Sequence, residues 1–212
     1  MFSHHASVCP RTLRFLAAAV LLAVLLLPAF SPAEATAEPA GTRDCQVESL
    51  QMHFSLPSDF ILADEQERLA ADPDGQALFL AYNENRSFSI RIGLVYPTAH
   101  MKNLNLFEEK ELLEMADSFA ELYGASSDGA GTVEWINDIC YIRTASVRED
   151  ASPAVCETAY LTILSNHFFA IAFTAPDDAS SREEIARVMD SVRYSEDMAD
   201  PANSFASDGG IN

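Results

Sequence analysis

Apolar and polar residues alternate along several short segments of this chain, and such alternation is typical of strands that cover a core with one face. Every second residue is apolar in LQMHFSL (50–56), until Pro57 ends the pattern. The same alternation runs through FSIRIGLVY (88–96), which follows ALFLAY (77–82) across the turn residues NEN (83–85). These segments predict strands of a half-covered sheet.

Two longer segments carry apolar residues at intervals of three and four, which predicts amphipathic helices. The first is EEKELLEMADSFAELYG (108–124), whose acidic first turn favours a helix N-terminus and whose Gly124 favours its end. The second is DDASSREEIARVMDSVRY (177–194), where Ser181 and Glu184 have the spacing of a capping box. We expect the apolar stripe of each helix to pack on the sheet.

Turn residues between apolar runs predict two further pairs of strands. The run GTVEWINDICYIRTASV (131–147) is divided by ND at 137–138, and AVCETAYLTILSNHFFAIAFTAP (154–176) is divided by SN at 165–166. The last strand, HFFAIAFTAP (167–176), is apolar on both faces, which predicts a central position in the sheet.

The order of these elements predicts an α+β fold, because strands and helices do not alternate as βαβ units. We expect a mostly antiparallel sheet of about six to seven strands packed with two main helices, as an α/β sandwich. The domain would span 47–195, after a flexible segment at 38–46. Residues 196–212 have no periodicity and predict a disordered tail.

The N-terminal residues have the parts of a secretory signal peptide. Arg11 and Arg14 precede the apolar run FLAAAVLLAVLLL (15–27), and Pro28 and a small-residue stretch follow it. A membrane span needs roughly 20 apolar residues, so this run is too short for an anchor. We therefore expect residues 1–37 to be cleaved, leaving a periplasmic or secreted protein with no membrane attachment.

The chain is strongly acidic, and this charge argues against nucleic acid as a partner. It contains 13 Lys and Arg against 32 Asp and Glu, a net charge of −19. Without Arg11, Arg14 and Glu34 the balance is 11 against 31, or −20. Such a field repels phosphate backbones and anionic lipid heads. A basic protein surface is a compatible partner.

The expected mature chain keeps three cysteines, Cys45, Cys140 and Cys156, and export permits a disulfide. A hairpin that turns near Ala151 would put Cys156 opposite Ser146, six residues along the strand from Cys140. Six residues span on the order of 20 Å, far more than a disulfide allows. A bond within the chain would therefore join Cys45 to Cys140 or to Cys156. Three free thiols and a bond between two chains are the alternatives.

Four segments together resemble the PsbP-like fold group, which includes an extrinsic photosystem II subunit, an import factor that binds the Ran GTPase, and periplasmic proteins of the DcrB type. The segments are FSLPSDF (54–60), ALFLAYNENRSFSIRIGLV (77–95), EEKELLEMADSFAELYG (108–124) and HFFAIAFTAPDDASSREEIARVMDSVRY (167–194). The resemblance covers about Val47 to Ser195. It implies an accessory module that binds another protein, since the group shares no catalytic residues.

The candidate chemistry is sparse. The histidines His53, His100 and His167 do not have the spacing of a metal-binding helix, and no nucleophile or phosphate-binding motif is present. We therefore assign no catalytic, cofactor-binding or metal residues, no cofactor and no enzyme activity. An exported hydrolase or metal-dependent enzyme with a site assembled from distant residues, and a small-ligand carrier, are the alternatives to protein binding.

Three large aromatic residues near the predicted hairpins are candidates for a protein interface. They are Trp135, Tyr141 and Tyr160. Exposed aromatic side chains often anchor interfaces, whereas core packing is the alternative role for the same residues. The sequence names neither the partner nor the oligomeric state.

Overall fold

The computed structural model describes residues 41–96, 102–122, 131–148 and 153–200. Ten strands lie in these ranges. They are β1 (Thr42–Val47), β2 (Met52–Pro57), β3 (Ile61–Leu62), β4 (Ala77–Tyr82), β5 (Ser89–Tyr96), β6 (Thr132–Ile136), β7 (Ile139–Arg148), β8 (Val155–Leu164), β9 (His167–Pro176) and β10 (Arg193–Tyr194).

The strands form two antiparallel sheets. The larger sheet has seven strands in the order β3-β4-β5-β9-β8-β7-β6, and the smaller has three in the order β1-β2-β10. The α+β fold class, the antiparallel pairing and the two main helices are confirmed. Strand β9 is the fourth of seven, so its predicted central position is also confirmed. The placement of β2 in a separate sheet was not predicted from the sequence.

Four α-helices lie in the described ranges, namely α1 (Glu65–Ala71), α2 (Glu109–Leu122), α3 (Ala179–Ser191) and α4 (Glu196–Ala199). Helices α2 and α3 are the two predicted amphipathic helices. The predicted capping box of Ser181 and Glu184 is wrong, because α3 begins three residues earlier. The side chain of Asp178 is the cap and accepts a hydrogen bond from the Ser181 N–H at 2.7 Å.

The seven-stranded sheet has a hydrophobic core on each face. On one face, helix α3 and the smaller sheet cover a core that includes Met52, Phe54, Ile90, Ile92, Phe169, Ile171, Phe173 and Val188. On the other face, helix α2 and a 3-10 helix (Leu104–Leu106) cover a core that includes Leu112, Ala116, Cys140, Ile142, Leu161, Ile163 and Phe168. The sheet is thus the middle layer of the domain.

Two hairpins of the large sheet turn on residues that tolerate a left-handed backbone. Asn137 and Asp138 have φ angles of 51° and 64°, and Ser165 and Asn166 have φ angles of 43° and 65°. Two consecutive residues with positive φ match the right-handed twist of the flanking strands. Both predicted turns are confirmed.

The register of β7 and β8 differs by one residue from the predicted register. Cys156 lies opposite Val147, not opposite Ser146. Successive side chains of a strand point to opposite faces, and Val147 is seven residues from Cys140. The sulfurs of Cys140 and Cys156 therefore lie on opposite faces of the sheet, which excludes a bond between them more firmly than separation alone.

The three described cysteines are free thiols. Cys45 belongs to the core on the α3 face, whereas Cys140 belongs to the core on the α2 face. The sheet therefore lies between Cys45 and Cys140. Neither of the disulfides predicted for Cys45 is present in the structure. The alternative of a bond between two chains stays a prediction.

The segment 38–46, predicted to be flexible, is ordered over its second half. Residues 42–46 belong to β1, which pairs with β2 over its whole length. Cys45 and Val47 point into the core and are 6% and 5% exposed. The strand covers an edge of β2 that would otherwise present unpaired backbone groups. Residues 38–40 lie outside the described ranges.

The predicted disordered tail is wrong for its first residues. Helix α4 follows Ser195 directly, and Met198 within it is 3% exposed and part of the core. The Ser165 hydroxyl in the β8–β9 turn donates to the carbonyl oxygen of Met198 at 3.0 Å. One buried side chain thus orders a segment that has no apolar periodicity. Residues 201–212 lie outside the described ranges.

We predict that Met198→Ala lowers the free energy of unfolding by about 2–5 kcal/mol, because it leaves a cavity under α4. Urea denaturation would measure the change. Glu183→Ala is the matched control on exposed helix surface and should change the free energy by less than about 0.5 kcal/mol. Equal stability of the two variants would show that α4 is not docked.

We predict that iodoacetamide labels Cys156 faster than Cys45 or Cys140 in the native protein. Cys156 is half-buried, whereas burial raises the pKa of the Cys45 thiol and raises that of Cys140 to about 11. The thiolate is the reactive form, so both buried thiols should react slowly at pH 8. Peptide mapping would separate the sites, and a peptide linking Cys45 to Cys140 would contradict the structure.

Candidate functional site

Exposed apolar side chains occur on the elements at both edges of the seven-stranded sheet. At the β6 edge they are Leu106, Leu113 and Trp135, which are 41%, 51% and 56% exposed. At the β3 edge they are Ile61, Leu62 and Leu69. We call the first group the Trp135 surface. It contains the only tryptophan of the chain, and tryptophan is the residue type most often found at interface hot spots.

The position of Trp135 follows from strand pairing. It lies on β6, the last strand of the sheet, directly opposite Cys140 on β7. Paired residues of antiparallel strands point to the same face, and Cys140 points into the core beneath α2. The indole therefore extends from the face that carries α2. It lies at the outer edge of β6, where no second strand pairs with β6 within the described ranges.

Leu106 is held near this edge by a single asparagine. The side chain of Asn105 donates to the Asp138 carbonyl oxygen at 2.9 Å and accepts from the Cys140 N–H at 2.9 Å. These bonds fix the 3-10 helix (Leu104–Leu106) against the β6–β7 turn. Leu104 is fully buried as a result, while Leu106 in the same turn is exposed.

Leu113 is carried by helix α2, which lies very close to the start of β6. A Cβ atom on Gly131 would lie 2.2 Å from the Ala116 carbonyl oxygen, so only glycine permits this approach. Leu112 and Ala116 face the core beneath α2, and Leu113 is exposed beside them. The close contact brings the helix that carries Leu113 to the strand that carries Trp135.

The Trp135 surface lies beside an acidic helix. Helix α2 contains five acidic residues and one lysine. The Glu108 N–H donates to the carboxylate of Glu111 at 3.0 Å, and this bond lowers the pKa of Glu111. Lys110 pairs with Glu114, but both side chains are at least 70% exposed, and such pairs contribute little. An apolar surface beside carboxylates fits a partner with an apolar pocket and a basic rim.

Tyr141 and Tyr160 do not belong to this surface, so the predicted interface role is wrong for them. They are 1% and 6% exposed, and their rings pack edge to face with centroids 6.2 Å apart. The Tyr141 hydroxyl lies 2.9 Å from that of Tyr194, and burial raises the pKa of Tyr160 to about 12. Both side chains face the core on the α3 side, because the residues before and after each of them in sequence point to the α2 side.

The structure does not bring the candidate histidines together. His53 is exposed on β2 of the smaller sheet, and His167 lies on β9 with Nδ1 2.8 Å from the Ser165 carbonyl oxygen. His100 lies outside the described residues. Across the described part of the chain, no group of three His, Cys, Asp or Glu side chains could hold a metal ion. No helix within those ranges has the length and apolar character of a bilayer span.

A polar network at the opposite edge was not predicted from the sequence. The Tyr82 hydroxyl donates to Glu67 Oε1 at 2.7 Å, and this bond lowers the pKa of Glu67. Arg86 pairs with the same oxygen at 3.0 Å and lies over the Tyr82 ring. The signal available in the sequence was the capping box of Asp64 and Glu67, which begins α1.

Comparison with known proteins gives a likeness of fold alone. No protein-family model matches the chain. No curated protein matches its sequence either. A solved structure from Bacteroides thetaiotaomicron is similar at 14% identity and a TM-score of 0.46, over 75% of this chain and 50% of that one. The chain thus spans about half of the length of the Bacteroides protein.

Two further solved structures with similar folds come from a cyanobacterium and from yeast. Cyanobacterial PsbP from Synechocystis is 9% identical with a TM-score of 0.46, and the match covers 78% of this chain and 99% of that one. The Ran-binding protein Mog1p of Saccharomyces cerevisiae is 12% identical with a TM-score of 0.46, over the same shares. Structures of the PsbP-like group are therefore among those to which the chain is similar. At these scores the likeness says nothing about function.

We predict that Gly131→Ala lowers the free energy of unfolding by about 1–3 kcal/mol, because the added methyl group forces α2 away from β6. Urea denaturation would measure the loss, and the emission of the single tryptophan would report on the edge itself. Gly41→Ala is the matched control, since its Cβ would meet only the Ser58 hydroxyl, at 3.9 Å. Identical behaviour of the two variants would show that α2 and β6 are not in close contact.

Proposed function

We propose that this chain is a non-catalytic binding domain that recognises a protein partner through the Trp135 surface. The observation that carries the proposal is the 56% exposure of the only tryptophan, on an edge strand and on the same face as α2. Burial of one aromatic side chain in a partner pocket can supply much of the affinity of an interface. The flanking elements are fixed by Asn105 and Gly131, so the surface is preorganised.

The partner has an apolar pocket bordered by basic residues. The acidic residues of α2 favour such a rim, and the net charge of −19 would speed the approach of a basic surface. The same field opposes nucleic acid and anionic membranes. We place the interface at the β6 edge and not at the β3 edge because Trp135 is a larger anchor than the exposed residues Ile61, Leu62 and Leu69.

We infer that the interaction takes place outside the cytoplasm. The support is in the sequence, where Arg11 and Arg14 precede the apolar run 15–27 and small residues follow it. Those residues lie outside the described ranges. An exported binding domain of this kind, periplasmic or secreted, is an accessory protein that positions or stabilises its partner.

We predict that Trp135→Ala weakens partner binding by roughly 30-fold, the loss expected when an interface anchor worth about 2 kcal/mol is removed. The test is crosslinking of the tagged protein at native expression level, followed by mapping of the crosslinked peptides. The wild-type chain should yield crosslinks from residues near the β6 edge, and the variant should lose them.

Leu69→Ala is the matched control for this experiment. It removes an apolar side chain of similar exposure, 48%, from the β3 edge. It should leave the crosslinks unchanged. Loss of binding in Leu69→Ala with full binding in Trp135→Ala would move the interface to the β3 edge and overturn the proposal. Far-ultraviolet circular dichroism of both variants would establish that they fold.

A further inference from the structure

Among the described residues, helix α2 and the 3-10 helix cover only part of their face of the seven-stranded sheet. Two neighbouring cross-strand rows of side chains lie beyond the core beneath this helix. The inner row runs Leu80, Arg91, Ala172, Ala159 and Thr144, and the outer row runs Tyr82, Ser89, Thr174, Glu157 and Ser146. The residues on the three middle strands of these rows are half-buried. These half-buried side chains form a floor at the middle of the sheet on this face.

Arg91 lies in this floor. Its neighbours in sequence, Ile90 and Ile92, are fully buried in the core on the α3 face. Arg91 therefore points to the opposite face, where it lies between Leu80 on one side and Ala172 on the other. Arg91 is half-buried at the middle of the sheet, so an anion bound to its guanidinium would be partly shielded from water.

The charge of Arg91 has no partner in the part of the chain that the structure describes. The described part of the chain contains 11 Lys and Arg residues, and ten of them form a hydrogen bond or an ion pair. Within those ranges Arg91 alone forms neither. This is the more notable because the chain carries 32 acidic residues.

The groups around Arg91 suit a carboxylate. Ser89 and Thr174 form a directly opposed pair next to Arg91, and their hydroxyls have no hydrogen-bond partner among the described residues. A guanidinium binds a carboxylate through two parallel hydrogen bonds, and hydroxyls can donate further ones. The nearest acid in the rows, Glu157, already pairs with Arg148 at 3.3 Å.

The rest of the floor suits a short apolar chain. Ala172 and Ala159 lie next to each other in the row of Arg91, and neither side chain extends beyond a methyl group. From Arg91 across both alanines is two strand spacings, or about 10 Å. A short apolar chain of this length could pack on the two methyl groups.

The geometry points to a binding site for a small monocarboxylate with a short apolar chain, built from Arg91, Ser89 and Thr174 with Ala172 and Ala159 as its floor. We call it the Arg91 site. It is on a different part of the sheet from Trp135 and is independent of the protein-binding proposal. A single negative charge is favoured over a phosphate dianion, because the net charge of −19 opposes each further negative charge.

Titration of the full chain with hexanoate, followed by ¹⁵N NMR of the backbone and of the arginine side chains, tests the proposal. Hexanoate should shift the Arg91 Nε–H signal and the amides of Ala172 and Thr174 in a saturable way. Hexanamide, the neutral analogue, should bind at least about tenfold more weakly, as expected for loss of a hydrogen bond to a charged group.

Two variants locate the site. Arg91→Gln should reduce hexanoate affinity at least about tenfold, and Ala172→Val should reduce it while the arginine stays in place. Arg187→Gln, on the exposed surface of α3, is the matched control and should bind hexanoate as the wild type does. Unshifted amides of Arg91 and its neighbours, equal binding of hexanamide, or tighter binding of inorganic phosphate than of hexanoate would each overturn the proposal.

Discussion

The large apolar side chains on both faces of the central strands must be shielded from water, and this constraint shapes the rest of the domain. Strand β9 buries Phe169, Ile171 and Phe173 on one face and Phe168 on the other. Burial of each such side chain stabilises the fold by about 1.5–3 kcal/mol, provided that another layer covers it. A single helix is too narrow to cover the core on the α3 face, so the three-stranded sheet covers the remainder.

The two faces solve this problem differently, and the difference creates the candidate sites. On the α3 face, a helix and a second sheet leave the core closed. On the α2 face, one helix and a 3-10 helix cover only the end of the sheet that contains Leu161, Ile163 and Phe168. On the rest of that face the side chains are short or polar, such as those of Ala172 and Thr174, and they tolerate partial exposure. Trp135 is exposed for the same reason, because it lies at the β6 edge, where the part of the sheet covered by helix α2 ends.

The parts of the fold that could be predicted are those that local chemistry decides. Asn137 and Asp138 tolerate positive φ, and the apolar character of β9 on both faces indicates a central strand. Helix α1 was missed because none of its residues is buried, so it has no apolar stripe to read. Strand β1 and helix α4 were missed because short polar segments are ordered by what they dock on, and that contact is not local.

The candidate sites depend on strand order, which periodicity does not specify. The same alternation that places Trp135 and Tyr141 on strands does not say which of them reaches an edge. The one-residue change of register between β7 and β8 shows how small an error reverses the faces. Arg91 could be placed on the polar side of β5 from the sequence, but its lack of a partner is a property of five neighbouring strands.

Strand β2 has a mechanical consequence for the domain. The first described strand, β1, and the last, β10, flank it on either side and both run antiparallel to it. The chain enters β1 beside Pro57 and leaves β10 beside Met52, at opposite ends of β2. A pull between the two ends therefore loads the backbone hydrogen bonds of this small sheet in shear, together instead of one after another. Force applied through either end of the described domain would therefore act on β2, the strand that pairs with both β1 and β10.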